Sequence, residues 1–186
     1  WGVADVLALS RAQLDIADSR AVSDRVRAEK PDVIVNCAAY NDVDGAEGEP
    51  AASLTANAFG VRTLGRAAGE ISASFVHYST DFVFDGRASR PYSEEDAPNP
   101  LGVYASSKLI GEWFALEVPR ALVLRVESLF GGRPAKSSID RIVEAIASGR
   151  EAKVFVDRTV SPSYVDDVAT ATRVLIERGR SGLYHC

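Results

Sequence analysis

The sequence predicts an α/β protein in which helices cover both faces of a parallel sheet. Apolar segments of strand length alternate with segments of helical periodicity along the whole chain, which is the pattern of a doubly wound fold. The segments "DVIVNCAAY" (32–40) and "ALVLRV" (121–126) are almost continuously apolar, as strands are when both of their faces are covered. We therefore expect one domain over residues 1–186, with its ligands at the carboxyl ends of the strands.

Each element is assigned from its periodicity and from the residues that end it. The apolar segments predict strands at 5–10, 14–18, 32–40, 74–80, 121–126, 153–156 and 182–186. Apolar and alanine residues recur at helical spacing in 19–30, 50–71, 101–117, 137–148 and 164–178. Pro31 closes the first of these helices, Pro50 begins the second and Gly149 ends the fourth, each in a position that suits it. The segments 41–49, 85–100 and 131–136 are predicted to be loops.

The composition argues against several classes of function. The chain has 186 residues, of which 46% are apolar and 25% charged, and its net charge is −5. Its scattered Lys and Arg residues do not form the basic patch that binds nucleic acid or an anionic membrane. No apolar segment approaches the ~18 residues of a membrane-spanning helix. The distant Cys37 and Cys186 are expected to be reduced, as in a cytoplasmic protein, and no metal-ligand spacing is present.

Two polar motifs interrupt the apolar pattern. "HYSTDFVFDG" (77–86) places Thr80 and Asp81 at the end of a predicted strand, where burying them costs free energy unless they are used. "YASSK" places Tyr104 and Lys108 four residues apart, on one face of a helix. We expect the Lys108 ammonium to lower the pKa of the tyrosine phenol, so that Tyr104 exchanges a proton with a carbonyl or alcohol oxygen. Thr80 can hold the same oxygen.

These motifs resemble those of the extended short-chain dehydrogenases, and in particular the dTDP-4-dehydrorhamnose reductase family. The similar segments are "PDVIVNCAAYNDVDGAE" (31–47), "HYSTDFVFDG" (77–86), "PYSEEDAPNPLGVYASSKLIGE" (91–112), "LVLRVESLFG" (122–131) and "SPSYVDDVA" (161–169). The resemblance implies a Rossmann-like fold and reduction of the C4 keto group of dTDP-4-dehydro-L-rhamnose by NADPH or NADH. Parts of a substrate lobe would lie in 85–100 and 131–163.

The resemblance also implies a role for each matching residue. The proton donor would be Tyr104, Lys108 would bind the nicotinamide ribose, and Thr80 would hydrogen-bond the carbonyl oxygen. The substrate would contact Thr80, Asp81 and Ser128. The cofactor would contact Ser10, Arg11, Asp15, Ile16, Ala38, Ala39, Tyr40, Tyr104 and Lys108. An arginine at position 11 suits a 2′-phosphate and therefore NADPH, although it equally suits a solvated surface.

The chain departs from the family in two places. It has no G-x-x-G-x-x-G motif, the turn whose backbone holds a pyrophosphate. Because the chain also begins at Trp1 and contains no Met, we expect a fragment that is cut at both ends, binds a dinucleotide poorly and is inactive by itself. The reductases commonly carry a Ser-Trp pair where this chain has Glu127 and Ser128, which weakens the case for rhamnose as the sugar.

Two other functions stay open. The chain can belong to another nucleotide-sugar epimerase or dehydratase of the extended short-chain dehydrogenases. It can also belong to a non-catalytic regulatory subunit like that of methionine adenosyltransferase, although the presence of Thr80, Tyr104 and Lys108 argues against that. Asn57 either hydrogen-bonds backbone near the site or serves as a packing polar group. The expected partners are a nucleotide sugar and a second copy of the chain, with neither nucleic acid nor a membrane.

Overall fold

In the part of the chain that the structure describes, four parallel strands form a single sheet, and the spatial order of the strands equals their order in the chain. The computed structural model describes residues 5–132, 137–152, 154, 156, 157 and 159–186. The strands are β1 (Val33–Asn36), β2 (Ser74–Thr80), β3 (Ala121–Val126) and β4 (Gly182–His185). The helices described are α1 (Ser19–Glu29), α2 (Gly45–Gly48), α3 (Pro50–Leu54), α4 (Gly60–Glu70), α5 (Val103–Leu116), α6 (Ser138–Ala147) and α7 (Val165–Glu177). The predicted doubly wound α/β class is confirmed.

An apolar core lies on each face of the sheet because successive strand residues point to opposite faces. On one face, Phe75 of β2 and Val123 of β3 pack against α1 and α4 through Val22, Val61 and Leu64. On the other face, a smaller cluster is formed by Val76, Leu122 and Leu124, with Tyr78 and Leu175 at its margin. Both faces of the sheet are therefore covered, as the continuous apolar strands predict.

The predicted helix 50–71 contains a π-helical turn. The segment Thr55–Phe59 lies between α3 and α4 and is π-helical. Such turns are rare and often occur at functional sites. Here the turn contains Asn57, whose side chain is completely buried.

Two of the predicted strands are wrong. Residues 5–10 and 14–18 form no strand, and Val6 and Leu7 are 70% and 58% exposed. The backbone groups of a strand need a neighbouring strand as their partner, and within the described ranges β1 pairs only with β2. An apolar sequence pattern cannot reveal whether such a partner is present.

Three smaller predictions are also changed or left untested. The strand predicted at 32–40 is confined to β1, and the loop predicted at 41–49 contains α2. Part of the strand predicted at 153–156 lies outside the described residues. No helix in the described part of the chain combines the length and the apolar character needed to cross a membrane.

Candidate active site

Thr80 and Asp81 lie where β2 ends, beside the residues that follow β3. Thr80 pairs with Val126 in the sheet, so Asp81 and Glu127 leave neighbouring strands at the same edge. The Thr80 hydroxyl accepts a hydrogen bond from the Phe82 amide at 3.2 Å and donates one to Asp81 Oδ1 at 3.0 Å. Burial, and secondarily the charge of Glu127, raise the pKa of the Asp81 carboxyl to about 6.

Tyr104 is brought to this edge by the first turn of α5. The Val103 amide at the start of α5 donates to Glu47 Oε1 at 2.7 Å, and a carboxylate in this position also stabilises the helix dipole. Glu47 belongs to α2, in the segment that was predicted to be a loop. The Tyr104 side chain is largely buried, and the Phe82 ring meets it edge-on at 6.0 Å between centroids.

The pKa of Tyr104 is raised, which corrects the prediction that Lys108 lowers it. Burial is the largest cause, the Asp81 charge adds to it, and a hydrogen bond with the Thr80 hydroxyl opposes it. Lys108 is not among these causes, and its Nζ donates to the Tyr78 carbonyl oxygen at 2.6 Å. At neutral pH the phenol therefore keeps its proton and can donate it to an oxygen placed beside Thr80.

Lys108 is buried, with only 4% of the residue exposed. Desolvation lowers the pKa of its ammonium from the ordinary 10.5 to about 8, and Glu112 one turn further along α5 opposes this shift. The folded protein therefore carries a buried cation at neutral pH and at a cost in stability. Such an arrangement is typical of functional sites.

We expect Lys108→Met to raise the free energy of unfolding at pH 7. The change from 10.5 to about 8 corresponds to about 3 kcal/mol, and the lost hydrogen bond to Tyr78 reduces the gain to about 2 kcal/mol. Because the unfolded chain binds more protons than the folded chain between pH 8 and 10.5, the wild type becomes more stable through that range. Urea unfolding of both proteins at pH 7 and pH 10 measures the difference. A gain that does not shrink at pH 10 would contradict this explanation.

Asn57 connects the π-helical turn to the segment that follows β1. Its Oδ1 accepts from the Tyr40 amide at 2.8 Å, and its Nδ2 donates to the Tyr40 carbonyl oxygen at 3.0 Å. Nδ2 also donates to Ser107 Oγ at 3.0 Å, and Ser107 Oγ donates to the Tyr104 carbonyl oxygen at 2.7 Å. Of the two roles considered for Asn57, the structure therefore shows hydrogen bonds to backbone near the site.

Apart from Tyr104 and Lys108 on α5, the predicted cofactor residues lie in two separate segments. Ala38 is exposed and Ala39 and Tyr40 are half-buried in the segment that follows β1, so a flat group can lie against this end of the strand. The other segment is a turn in which Ser10 Oγ donates to Gln13 Oε1 at 2.8 Å. In the same turn Arg11 lies 3.5 Å from Asp15. Ile16 packs at the margin of the core.

Ser128 lies directly after β3 and Glu127, at the same edge of the sheet as Asp81. Its φ angle is +45°, in the left-handed region that residues other than glycine rarely adopt. The Ser163 amide donates to the Glu127 carbonyl oxygen at 3.1 Å and the Phe130 amide to the Ser163 carbonyl oxygen at 3.1 Å. These bonds hold the backbone around Ser128, and backbone conformations of this kind occur preferentially at functional sites.

Two buried charges near the site were missed by the sequence analysis. Glu112 and Arg125 are 1% and 5% exposed, and both carboxylate oxygens accept from the guanidinium at 2.8 and 2.7 Å. The sequence does indicate a buried ion pair, because an arginine in the apolar strand "ALVLRV" requires a buried partner. Which residue supplies that partner cannot be told from spacing alone.

The comparisons with known proteins identify the family of the chain. The sequence profile described as RmlD substrate binding domain matches residues 3–186. The dTDP-4-dehydrorhamnose reductase of Mycobacterium tuberculosis is 41% identical over 183 residues, which are 96% of this chain and 60% of that protein. The chain therefore spans less than two thirds of the length of this curated relative.

Two crystal structures of similar proteins extend the likeness to the fold. A dTDP-4-dehydrorhamnose reductase from Clostridium acetobutylicum superposes with a TM-score of 0.92 at 32% identity, over 98% of this chain and 65% of that one. The dTDP-4-dehydrorhamnose reductase of Bacillus anthracis, solved in complex with NADP, also has a TM-score of 0.92, at 31% identity and the same coverage. With this agreement in sequence and fold, the chain belongs to the RmlD substrate binding domain family.

Proposed function

We propose that the protein containing this chain reduces the C4 keto group of dTDP-4-dehydro-L-rhamnose with NADPH and forms dTDP-L-rhamnose. The observation that carries this proposal is the protonated Tyr104 phenol beside Thr80 and Asp81 at the end of β2, where the Thr80 hydroxyl donates to Asp81 Oδ1 at 3.0 Å. A reduction needs an acid at this position, because the carbonyl oxygen becomes an alkoxide unless a proton reaches it. Relatives named as this reductase support the choice of substrate.

Each side chain has a role that follows from its surroundings. Tyr104 donates its proton to the substrate oxygen, and Thr80 exchanges its bond with Asp81 for one with the same oxygen. Asp81 and Ser128 contact the sugar. Lys108, fixed by the Tyr78 carbonyl, retains two further N–H donors for ribose hydroxyls.

The residues described fit the nicotinamide half of the cofactor. The open backbone at Ala38 and Ala39 and the buried Lys108 donor lie at the edge of the sheet that carries Tyr104. NADPH, when bound, supplies the hydride, and the protein supplies position and the proton. The turn with Ser10, Arg11, Asp15 and Ile16 is proposed to contact the adenosine half.

We further propose that residues 1–186 by themselves bind the dinucleotide weakly and turn over no substrate. The support is the absence of a glycine-rich phosphate turn from the sequence. In the complete protein, segments 85–100 and 131–163 contribute to a substrate lobe. A cytoplasmic location and a homodimer complete the proposal; the exposed side chains of Phe59 and Trp113 support the dimer.

The test measures NADPH oxidation by the complete protein. The substrate dTDP-4-dehydro-L-rhamnose is generated in situ, and the product is identified by its stereochemistry. We expect NADPH-dependent formation of dTDP-L-rhamnose. A different product stereochemistry would favour an epimerase or dehydratase, and cofactor binding without any turnover would contradict the reductase proposal.

A further inference from the structure

We call the end of the sheet that carries Thr80, Asp81, Glu127 and Ser128 the catalytic edge. The Glu112–Arg125 ion pair joins α5, which carries Tyr104 and Lys108, to β3, which ends at this edge. Glu112 is on α5, two turns after Tyr104, and Arg125 is on β3, opposite Ser79 of β2. The two hydrogen bonds of 2.8 and 2.7 Å run to separate carboxylate oxygens, a bidentate geometry that only arginine provides. Removing two charges from water offsets most of the attraction between them. A net gain in folding stability is thus a weak explanation for the presence of this buried ion pair.

Glu112 bonds the edge of the Arg125 guanidinium, and the flat face of the guanidinium packs against the segment that follows β2. Its central carbon lies 4.9 Å from the centroid of the Phe84 ring, within the range of a cation–π interaction. The Phe84 ring stacks in turn on the Tyr92 ring, with centroids 4.2 Å apart and planes 9° apart. Arg125 therefore supports the stacked Phe84 and Tyr92 rings from the buried side.

Further contacts hold the same segment at both of its ends. Tyr92 Oη donates to Asp85 Oδ1 at 2.8 Å, and Asn99 Nδ2 donates to Asp85 Oδ2 at 3.0 Å. The backbone amide of His185, at the end of β4, donates to Glu94 Oε1 at 2.8 Å. Residues 84–99 thus form a folded unit that contacts the buried Arg125 through the Phe84 ring. We call residues 84–99 the covering segment.

We propose that Arg125, held by Glu112, is a positioning residue that sets the covering segment over the catalytic edge and thereby determines binding of the sugar nucleotide. The covering segment begins three residues after Asp81, so a shift of Phe84 moves the substrate side of the site. The residues expected to contact the cofactor lie in segments 10–16 and 38–40 and on α5, and none belongs to the covering segment. This inference rests on the proposed function only for the identity of the sugar nucleotide.

The first test uses Arg125→Lys and Phe84→Leu in the complete protein. Arg125→Lys keeps the positive charge but removes the two parallel N–H donors to Glu112 and the planar group that packs on Phe84. Phe84→Leu removes the aromatic ring and leaves the buried ion pair intact. We expect each variant to raise KM for dTDP-4-dehydro-L-rhamnose roughly tenfold or more, because small misplacements in a site are costly. KM for NADPH stays unchanged. The control is Arg27→Lys, in the exposed pair with Glu70.

The second test needs no turnover and separates this inference from the proposed function. The Phe84 amide donates to the Asp81 carbonyl oxygen and the Asn99 amide to the Val83 carbonyl oxygen, both at 2.9 Å. We expect hydrogen exchange at these two amides to accelerate in Arg125→Lys and Phe84→Leu, while β2 amides keep their protection. This outcome would support the inference even if the wild type reduced no rhamnose precursor.

Two results would overturn the inference. One is an unchanged KM for the sugar nucleotide together with unchanged exchange in the Phe84→Leu variant, which does not disturb the ion pair. The other is a parallel loss of kcat, sugar affinity and NADPH affinity in both variants with faster exchange throughout β2 and β3. That pattern would show that Arg125 only stabilises the fold.

Discussion

Tyr104→Phe is expected to lower kcat for reduction of the sugar nucleotide by about 100- to 10,000-fold, the contribution of a positioned general acid. The substitution removes one oxygen and keeps the ring that meets Phe82 edge-on. NADPH affinity and the melting temperature should stay unchanged, since the ring continues to fill its largely buried position. Stopped-flow measurement of NADPH oxidation with saturating substrate reports the chemical step directly.

The matched control for this substitution is Tyr184→Phe. Tyr184 lies on β4, and its hydroxyl donates to the Ser181 carbonyl oxygen at 3.3 Å, remote from Thr80 in the sheet. The Tyr184→Phe variant should have the same kcat as the wild type. A Tyr104→Phe variant with more than about a tenth of wild-type kcat would mean that another group, such as Asp81 with its raised pKa, supplies the proton.

Gly111→Ala is expected to lower the free energy of unfolding by about 3 kcal/mol, because the methyl group has no space. A Cβ on Gly111 would lie well inside van der Waals contact of the Asn57 backbone oxygen, and 3.4 Å from His77 Nε2. The Asn57 backbone lies on one side of the added methyl group and the buried His77 ring on the other. To make room, α5 would have to move away from the π-helical turn, which would also displace the site. Urea denaturation of wild type and variant measures the change.

Gly69→Ala is the control that separates this clash from the general effect of alanine in a helix. Gly69 lies in α4, and nothing would lie within 4 Å of its added Cβ. Alanine there should raise the free energy of unfolding by about 0.5–1 kcal/mol. If Gly111→Ala were equally harmless, the close approach of α5 to the π-helical turn would not exist in solution.

The catalytic edge shows how far sequence reasoning reaches. Thr80, Asp81 and Glu127 could be assigned to one edge because the ends of parallel strands meet there. The direction in which the Tyr104 pKa is shifted could not be predicted from the sequence, since it depends on burial and on where the Lys108 ammonium points. A spacing of four residues places Tyr104 and Lys108 on one face of α5, yet the ammonium instead reaches the Tyr78 carbonyl oxygen of the neighbouring strand.

The sequence by itself determined the class of fold and the order of most helices and strands, through local periodicity and through proline and glycine at element ends. It also predicted candidate site residues, from polar residues placed after apolar strands and from the resemblance to the reductase family. The tertiary structure alone decided that residues 5–10 and 14–18 are not strands, that Asn57 holds Tyr40, and that Arg125 pairs with Glu112. Each of these depends on a partner distant in the chain, and the free energy of burying a charge or pairing a backbone group depends on that partner being present.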